Sequence, residues 1–223
     1  MYLVLAAILF GTLAIGTVVT FGLIYNRPYW SSIAKLYVCW MALYFLFIAF
    51  GTGPTGERMS LFSKTSPYKL PWKAKISRFT SQGNRSFTSH RGANLYAWDF
   101  WMPIGTEIFA SRSGTVIELK QSFSGIGLKS NFLVIKHDDG THAMYAHIKR
   151  NGSVVEINDY VEQGQLIAYS GMVGQTINPH LHFVVFDKSR TNSLPITFAD
   201  VSGGVPFAGR FYTSGNIGSS STE

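Results

Sequence analysis

FLVIKHDDGTHAMYAH, residues 132–147, is the stretch whose reading decides the fold. Two runs of alternating apolar, β-branched and aromatic residues flank Asp139-Gly140, and an Asp-Gly pair between such runs is a strong short-range signal for a β-hairpin. A two-residue turn there pairs Asp138 with Thr141 and His137 with His142. Side chains alternate across a strand, so Thr141, Ala143, Tyr145 and His147 are then expected on one face and His142 on the other. His137 follows its cross-strand partner. These two histidines are therefore expected as a surface or structural pair and not as ligands.

Outward from the hairpin the same pattern repeats. TEIFA (106–110), GTVIELK (114–120), QLIAYS (165–170) and LHFVVFD (181–187) are short runs of strand-forming residues, punctuated by Gly and Asp-Gly turns. This spacing predicts an all-β domain of antiparallel sheet over residues 76–213. Upstream, GTGPTGERMSLFSKTSPYKLPWKAK is broken by glycine and proline, so residues 52–75 read as a linker or an arm running over the domain surface. The end, GNIGSSSTE, is small and polar, and 214–223 is expected to be a disordered tail.

The first fifty residues are of a different kind, and the mean hydropathy of +0.13 averages the two parts. YLVLAAILFGTLAIGTVVTFGLIY (2–25) carries no charge and exceeds the roughly 20 residues a helix needs to cross a bilayer. A second run, LYVCWMALYFLFIAF (36–50), approaches that length once Ile33 and Ala34 are included and Lys35 snorkels. A hairpin of two transmembrane helices is expected over residues 1–51. A cleavable secretory signal fits poorly: there is no basic start, no short apolar core and no small-residue cleavage site. The short loop between the runs carries Arg27 and Lys35, whereas Arg58, Lys64, Lys69, Lys73 and Lys75 follow the second run, so charge alone does not set the orientation.

Net charge is +7, from 19 basic and 12 acidic residues. With no nucleic-acid motif and no clustering of the charges, nucleic acid is not expected as a partner; anionic lipid or an anionic wall polymer fits better. The single cysteine, Cys39, lies in the second apolar run and rules out a disulfide framework.

His90, His147, His180 and His182 remain as candidates. His180 and His182 form His-Leu-His, which puts two imidazoles on the same face of a strand. That arrangement suits a metal, or a metal ligand beside a catalytic base. A catalytic zinc takes three protein ligands from His and carboxylate and keeps a fourth position open. Asp99 lies in the apolar stretch AWDFW, where a buried carboxylate needs a cationic partner, either a metal or, more blandly, an arginine.

Three ordered blocks, SHRGANLYAWDFWMPIGTEIFA (89–110), VIKHDDGTHAMYAHI (134–148) and VEQGQLIAYSGMVGQTINPHLHF (161–183), resemble the LytM or lysostaphin-type zinc endopeptidases of family M23. The resemblance covers residues 76–213. It implies a LytM-type β domain, zinc (Zn2+) as the cofactor held by His90, Asp99 and His182, and an acid/base pair formed by His147 and His180. It also implies cleavage of peptide stems or cross-bridges of peptidoglycan. One departure stands out: eight residues separate His90 from Asp99, where the commoner family spacing is three, and the position that spacing would select is Asn94. Neutral Asn is a poor zinc ligand, and the residues after Asp99 match the family, so Asp99 is expected and Asn94 is the fallback.

If the chain is such an enzyme, its domain must lie outside the cell membrane, with both termini external and Arg27 and Lys35 inside. Two other readings compete: a catalytically silent LytM-like module that binds wall material or activates another hydrolase, and a lipoyl- or biotinyl-like hairpin module. The second lacks a modifiable lysine at a hairpin tip between SRSGTVIEL and YVEQGQLIAYSG.

Overall fold

The computed structural model describes residues 66–86 and 88–217, together with Lys35, Val38 and Cys39. The chain divides into two units, Met1–Ile48 and Ala49–Glu223. The membrane hairpin expected over 1–51 falls outside the described residues apart from those three.

The second unit is built from antiparallel β-sheet, as the sequence predicts. Its strands are β1 (Ser77–Gln82), β2 (Trp98–Trp101), β3 (Glu107–Phe109), β4 (Gly114–Lys120), β5 (Phe132–Lys136), β6 (His142–Ala146), β7 (Ile148–Ser153), β8 (Tyr160–Val161), β9 (Leu166–Ser170), β10 (His180–Phe186) and β11 (Phe211–Thr213). Eight form one sheet in the order β11-β1-β2-β10-β6-β5-β4-β8, and a second sheet runs β3-β9-β7. Alternation sorts the large sheet into two faces. Trp98, Phe100, Ile135, Ala143, Tyr145, Leu181, Phe183 and Val185 enter the main core, together with Ile108, Ile148 and Ile167 of the small sheet. Val184, Phe186 and Ala97 pack on the opposite face, and that face also carries the polar site.

The ends of the domain are more firmly built than composition suggests. Tyr68, Leu70 and Trp72 are buried in the main core, although they lie in the segment expected to run over the surface. The backbone N–H of Leu70 donates to both carboxylate oxygens of Asp200 (3.1 Å each). Asn216 and Ser214, in the expected tail, are buried and donate to the carbonyls of Leu70 and Trp72 (3.1 and 2.7 Å). Residues 66–75 and 214–217 therefore tie each other to the sheet. Tyr68, Leu70 and Trp72 do alternate with Lys69, Pro71 and Lys73, but the run is short and interrupted by proline, so it reads as a linker.

The decisive hairpin forms, but one residue out of the expected register. Lys136 faces His142 and Ile135 faces Ala143. Gly140 N–H donates to His137 O (3.0 Å), His137 N–H donates to Thr141 O (2.9 Å), and Gly140 is left-handed at φ 82°. The loop is thus the three residues Asp138, Asp139 and Gly140, a turn followed by a glycine bulge. Side chains select it. Asp139 accepts from the N–H and hydroxyl of Thr141 (2.9 and 2.7 Å), and Arg112 pairs with Asp138 and Asp139.

The shift separates His137 from His142. They are not cross-strand partners, and neither lies at the surface. The Nδ1–H of His142 donates to Asp187 O (3.2 Å). His137, 2% exposed, donates through Nδ1 to Ser113 O (2.8 Å) and meets the Tyr68 ring edge-on at 5.4 Å. Both are structural, and neither joins the site.

Burial, reinforced by the nearby Arg112 charge, lowers the His137 imidazole to about 4. Below its ordinary value near 6.5, the unfolded chain takes up a proton that the folded protein resists. Stability is then full above about pH 6.5 and lost progressively toward pH 4, with a ceiling of about 3 kcal/mol. For the full-length chain held metal-free by chelator, urea unfolding at pH 7.5 and 5 should show wild type losing about 2 kcal/mol more than His137→Gln. An equal loss in the two proteins would contradict this account of His137.

Candidate metal centre

The site is laid out on a row that crosses four strands. β2 and β10 pair so that Asp99 faces His182 and Trp101 faces His180. Directly opposite residues on neighbouring strands share a face, so putting Trp98 and Phe100 into the core turns Asp99 toward the His-Leu-His imidazoles. On the other side of Asp99, a bulge between Thr80 and Gln82 of β1 brings Gln82, and not only Ser81, opposite it. The row reads Gln82, Asp99, His182, Ala146, and the small Ala146 leaves space beside His182.

His90 reaches the row from the loop between β1 and β2. Its Nδ1–H donates to Gly83 O (2.8 Å), which fixes the tautomer and leaves Nε2 3.2 Å from Asp99 Oδ1. His182 Nδ1 lies 2.8 Å from the same oxygen. One ligand atom each from His90, Asp99 and His182 lies within 4.8 Å of the others. Asn94, the fallback, lies in the 3-10 turn Gly92–Asn94 of the same loop. The extra residues before Asp99 form that turn, and the Arg85 N–H to Leu95 O hydrogen bond (2.7 Å) closes the loop across it.

His147 stands out. Alternation from Tyr145 would send it into the main core, yet its φ is +63°, a left-handed conformation uncommon for non-glycine residues and found where a side chain must be re-aimed. The turn throws the ring onto the polar face, with its centroid 4.7 Å from that of His180 and 6.0 Å from that of His182. It also ends β6 and lets the chain start β7 of the other sheet at Ile148. His147 Nδ1–H donates to Val173 O (2.8 Å), with Ser130 Oγ at 3.1 Å. His180 Nδ1–H donates to Asn178 O (2.9 Å), with Thr176 Oγ1 at 3.2 Å. Carbonyls thus accept from Nδ1 of both rings, which leaves each Nε2 to face the site.

Electrostatics favour a cation here. Burial alone would raise the Asp99 carboxyl, but the imidazoles of His90 and His180 and hydrogen bonds from His182 and His90 outweigh it and hold the group well below the usual carboxylate range. Among the described residues its ion-pair partners are imidazoles, with no lysine or arginine. The bland arginine salt bridge is therefore not what balances this buried charge. Burial likewise lowers His182. Burial and the neighbouring imidazoles of His180 and His182 bring His147 to about 4, so it is neutral at pH 7. Two imidazole nitrogens and one carboxylate oxygen converging on one point, with the neutral His147 imidazole nearby, fit the donor set of a catalytic zinc.

Beside His147 a cleft of about 540 Å³ is lined by Ile104, Ile126, Lys149, Arg150, Met172 and Val173 among others. Its wall is held by Gly127 N–H to Gly174 O and Gly174 N–H to Gly125 O (3.0 Å each). The sequence reading missed Gln82, Ser130, Thr176 and the carbonyls of Val173 and Asn178. A backbone carbonyl leaves no trace in residue identity, and Gln82 reaches the row only through a bulge.

Residues 93–194 match the model of peptidase family M23. This span contains Asp99, His147, His180 and His182, and begins just after His90. Lysostaphin of Staphylococcus simulans is 32% identical over 137 residues, 61% of this chain and 27% of that protein. Peptidoglycan DD-endopeptidase ShyB of Vibrio cholerae is 34% identical over 93 residues, 41% of this chain and 20% of that protein. The chain thus spans about a quarter of the length of these curated relatives. Among solved structures, the catalytic domain of lysostaphin from Staphylococcus simulans is 26% identical, covering 64% of this chain and 94% of that chain with a TM-score of 0.39.

Gly171 lies against the corner that His147 forms. A β-carbon there would come within 2.7 Å of Lys149 N and 2.9 Å of His147 O, both backbone atoms. Gly171→Ala should therefore destabilise the domain by about 1–3 kcal/mol and lower its Tm. An unchanged Tm would show that the corner is not tightly held.

Proposed function

We propose, on the premise that residues 93–194 form a domain of peptidase family M23, that the protein is a zinc-dependent endopeptidase acting on peptide bonds of peptidoglycan. The observation that carries this reading is the His90, Asp99 and His182 set facing the His147 and His180 pair, with a cleft lined in part by Val173, whose carbonyl holds His147. Zinc held by those three residues would supply a Lewis acid for the scissile carbonyl and make water acidic enough to attack near neutral pH.

The remaining work belongs to the protein. His147, neutral because it is buried among imidazoles, accepts the water proton at Nε2 while Val173 O keeps its ring in place. His147 then passes that proton from Nε2 to the leaving amine, while His180, held the same way by Asn178 O, faces the oxygen of the reacting carbonyl. The cleft beside His147 receives the peptide. Peptidoglycan is favoured as substrate because a relative that shares the domain is named for cleaving it. This function places the domain on the outer side of the cell membrane, with residues 1–51 as the anchor in the lipid bilayer.

The test uses full-length protein, bound zinc by atomic emission, and peptides released from purified peptidoglycan by mass spectrometry. Wild type should carry about one zinc per chain and release peptides, and a chelator should stop it. His182→Ala should lose both metal and activity, whereas His147→Ala should keep the metal and lose activity by about 10²-fold or more. Zinc-loaded protein that binds peptidoglycan without cutting it would overturn the enzymatic reading.

A further inference from the structure

The two oxygens of Asp99 are treated differently by their surroundings. Oδ1 faces the imidazoles, 2.8 Å from His182 Nδ1, 3.2 Å from His90 Nε2 and 3.6 Å from His180 Nε2. Oδ2 accepts a 2.7 Å hydrogen bond from Gln82 Nε2. A carboxylate can only accept, so the amide nitrogen of Gln82 must face it and the amide oxygen must face away.

That oxygen is itself surrounded by hydroxyls. Ser86 Oγ donates to Gln82 Oε1 at 2.6 Å, Thr88 Oγ1 donates to it as well, and Ser89 Oγ lies at 3.1 Å. All three come from the loop that delivers His90. Ser86 is fully buried, and its Oγ also lies 3.0 Å from Thr88 Oγ1. A carbonyl oxygen has two lone pairs, so this ring of donors saturates it and leaves the amide one usable orientation. The β1 bulge that sets Gln82 opposite Asp99 completes a chain from loop hydroxyls through the Gln82 amide to one oxygen of the metal carboxylate.

We propose that Gln82 is a positioning residue that ties up Asp99 Oδ2, making Asp99 a one-oxygen ligand through Oδ1 and thereby selecting a four-coordinate metal site. The inference rests on the metal-site reading above. A carboxylate free to swing can bind through both oxygens and raise the coordination number, which suits larger oxygen-preferring ions such as Mn2+. With Oδ2 occupied, the site offers two nitrogens and one oxygen and keeps one position open. The hydroxyl ring also explains why the loop carrying His90 is rich in Ser and Thr: it holds the Gln82 amide against the flip that would turn its oxygen toward the carboxylate.

The test measures metal affinity and geometry, independent of turnover. Full-length wild type, Gln82→Leu and the double variant Ser86→Ala/Thr88→Val are titrated with zinc against a chromophoric chelator, and their Co2+ forms are compared by visible absorption. Gln82→Leu should bind zinc 10- to 100-fold more weakly, and its cobalt bands should lose the high intensity of a four-coordinate site. The double variant keeps Gln82 and frees only its amide oxygen, so it should move both readouts the same way by a smaller factor, and it decides the matter if Gln82→Leu does not fold. A merely structural role would lower the urea stability of the metal-free protein and leave both readouts unchanged. If the variants bind zinc within twofold of wild type with an unaltered cobalt spectrum, the proposal is overturned. If wild type itself binds no zinc, the metal-site reading fails and takes the inference with it.

Discussion

A carboxylate withdrawn from water must be matched by positive charge or by donors, and Asp99 is 3% exposed. The rest of the site follows from that constraint. The β2 strand supplies the burial by packing Trp98 and Phe100 below the sheet, and the β10 register supplies the first imidazole directly across from Asp99. The loop between β1 and β2 closes over the top with a second imidazole, and Gln82 satisfies the oxygen that remains. Each part comes from a different stretch of chain. The sheet order, which brings β1, β2, β10 and β6 side by side, is what makes them one site.

The second requirement is a base that stays neutral beside a cation, and here the backbone departs from regularity. His147 reaches the site because its left-handed φ breaks the alternation of β6. A non-glycine residue in that conformation costs on the order of 1 kcal/mol, and the surrounding contacts hold it there: Val173 O and Ser130 Oγ grip Nδ1 and Gly171 crowds the corner. The same kink separates the two sheets, so the fold and the site use one irregularity.

Much of this was legible in the sequence because it rests on period and chemistry. The alternation of 181–187 and 132–147 gives the strands, His-Leu-His gives a pair of imidazoles on one face, and a lone aspartate in AWDFW calls for a cation. The placement of His147 was less legible: counting by twos from Tyr145 gives the wrong face, since nothing in Tyr-Ala-His marks a positive φ. The hairpin register was off by one because Asp139 and Arg112 favour a three-residue loop that Asp-Gly alone does not specify. In residues 66–75 the alternation of Tyr68, Leu70 and Trp72 with Lys69, Pro71 and Lys73 is short and broken by two prolines, so it reads as a linker and hides their burial. Gln82 was missed because a bulge, which has no residue signature, re-aims it.

The central claim is that one oxygen of Asp99 and one nitrogen each of His90 and His182 form a metal site from which His147 and His180 stand apart as bases. Zinc-edge X-ray absorption on the full-length, zinc-loaded protein tests this most directly. The account predicts a first shell of about four nitrogen and oxygen donors near 2.0–2.1 Å, with outer-shell scattering from two imidazoles. Scattering from three or four imidazoles, or a six-coordinate shell, would contradict it.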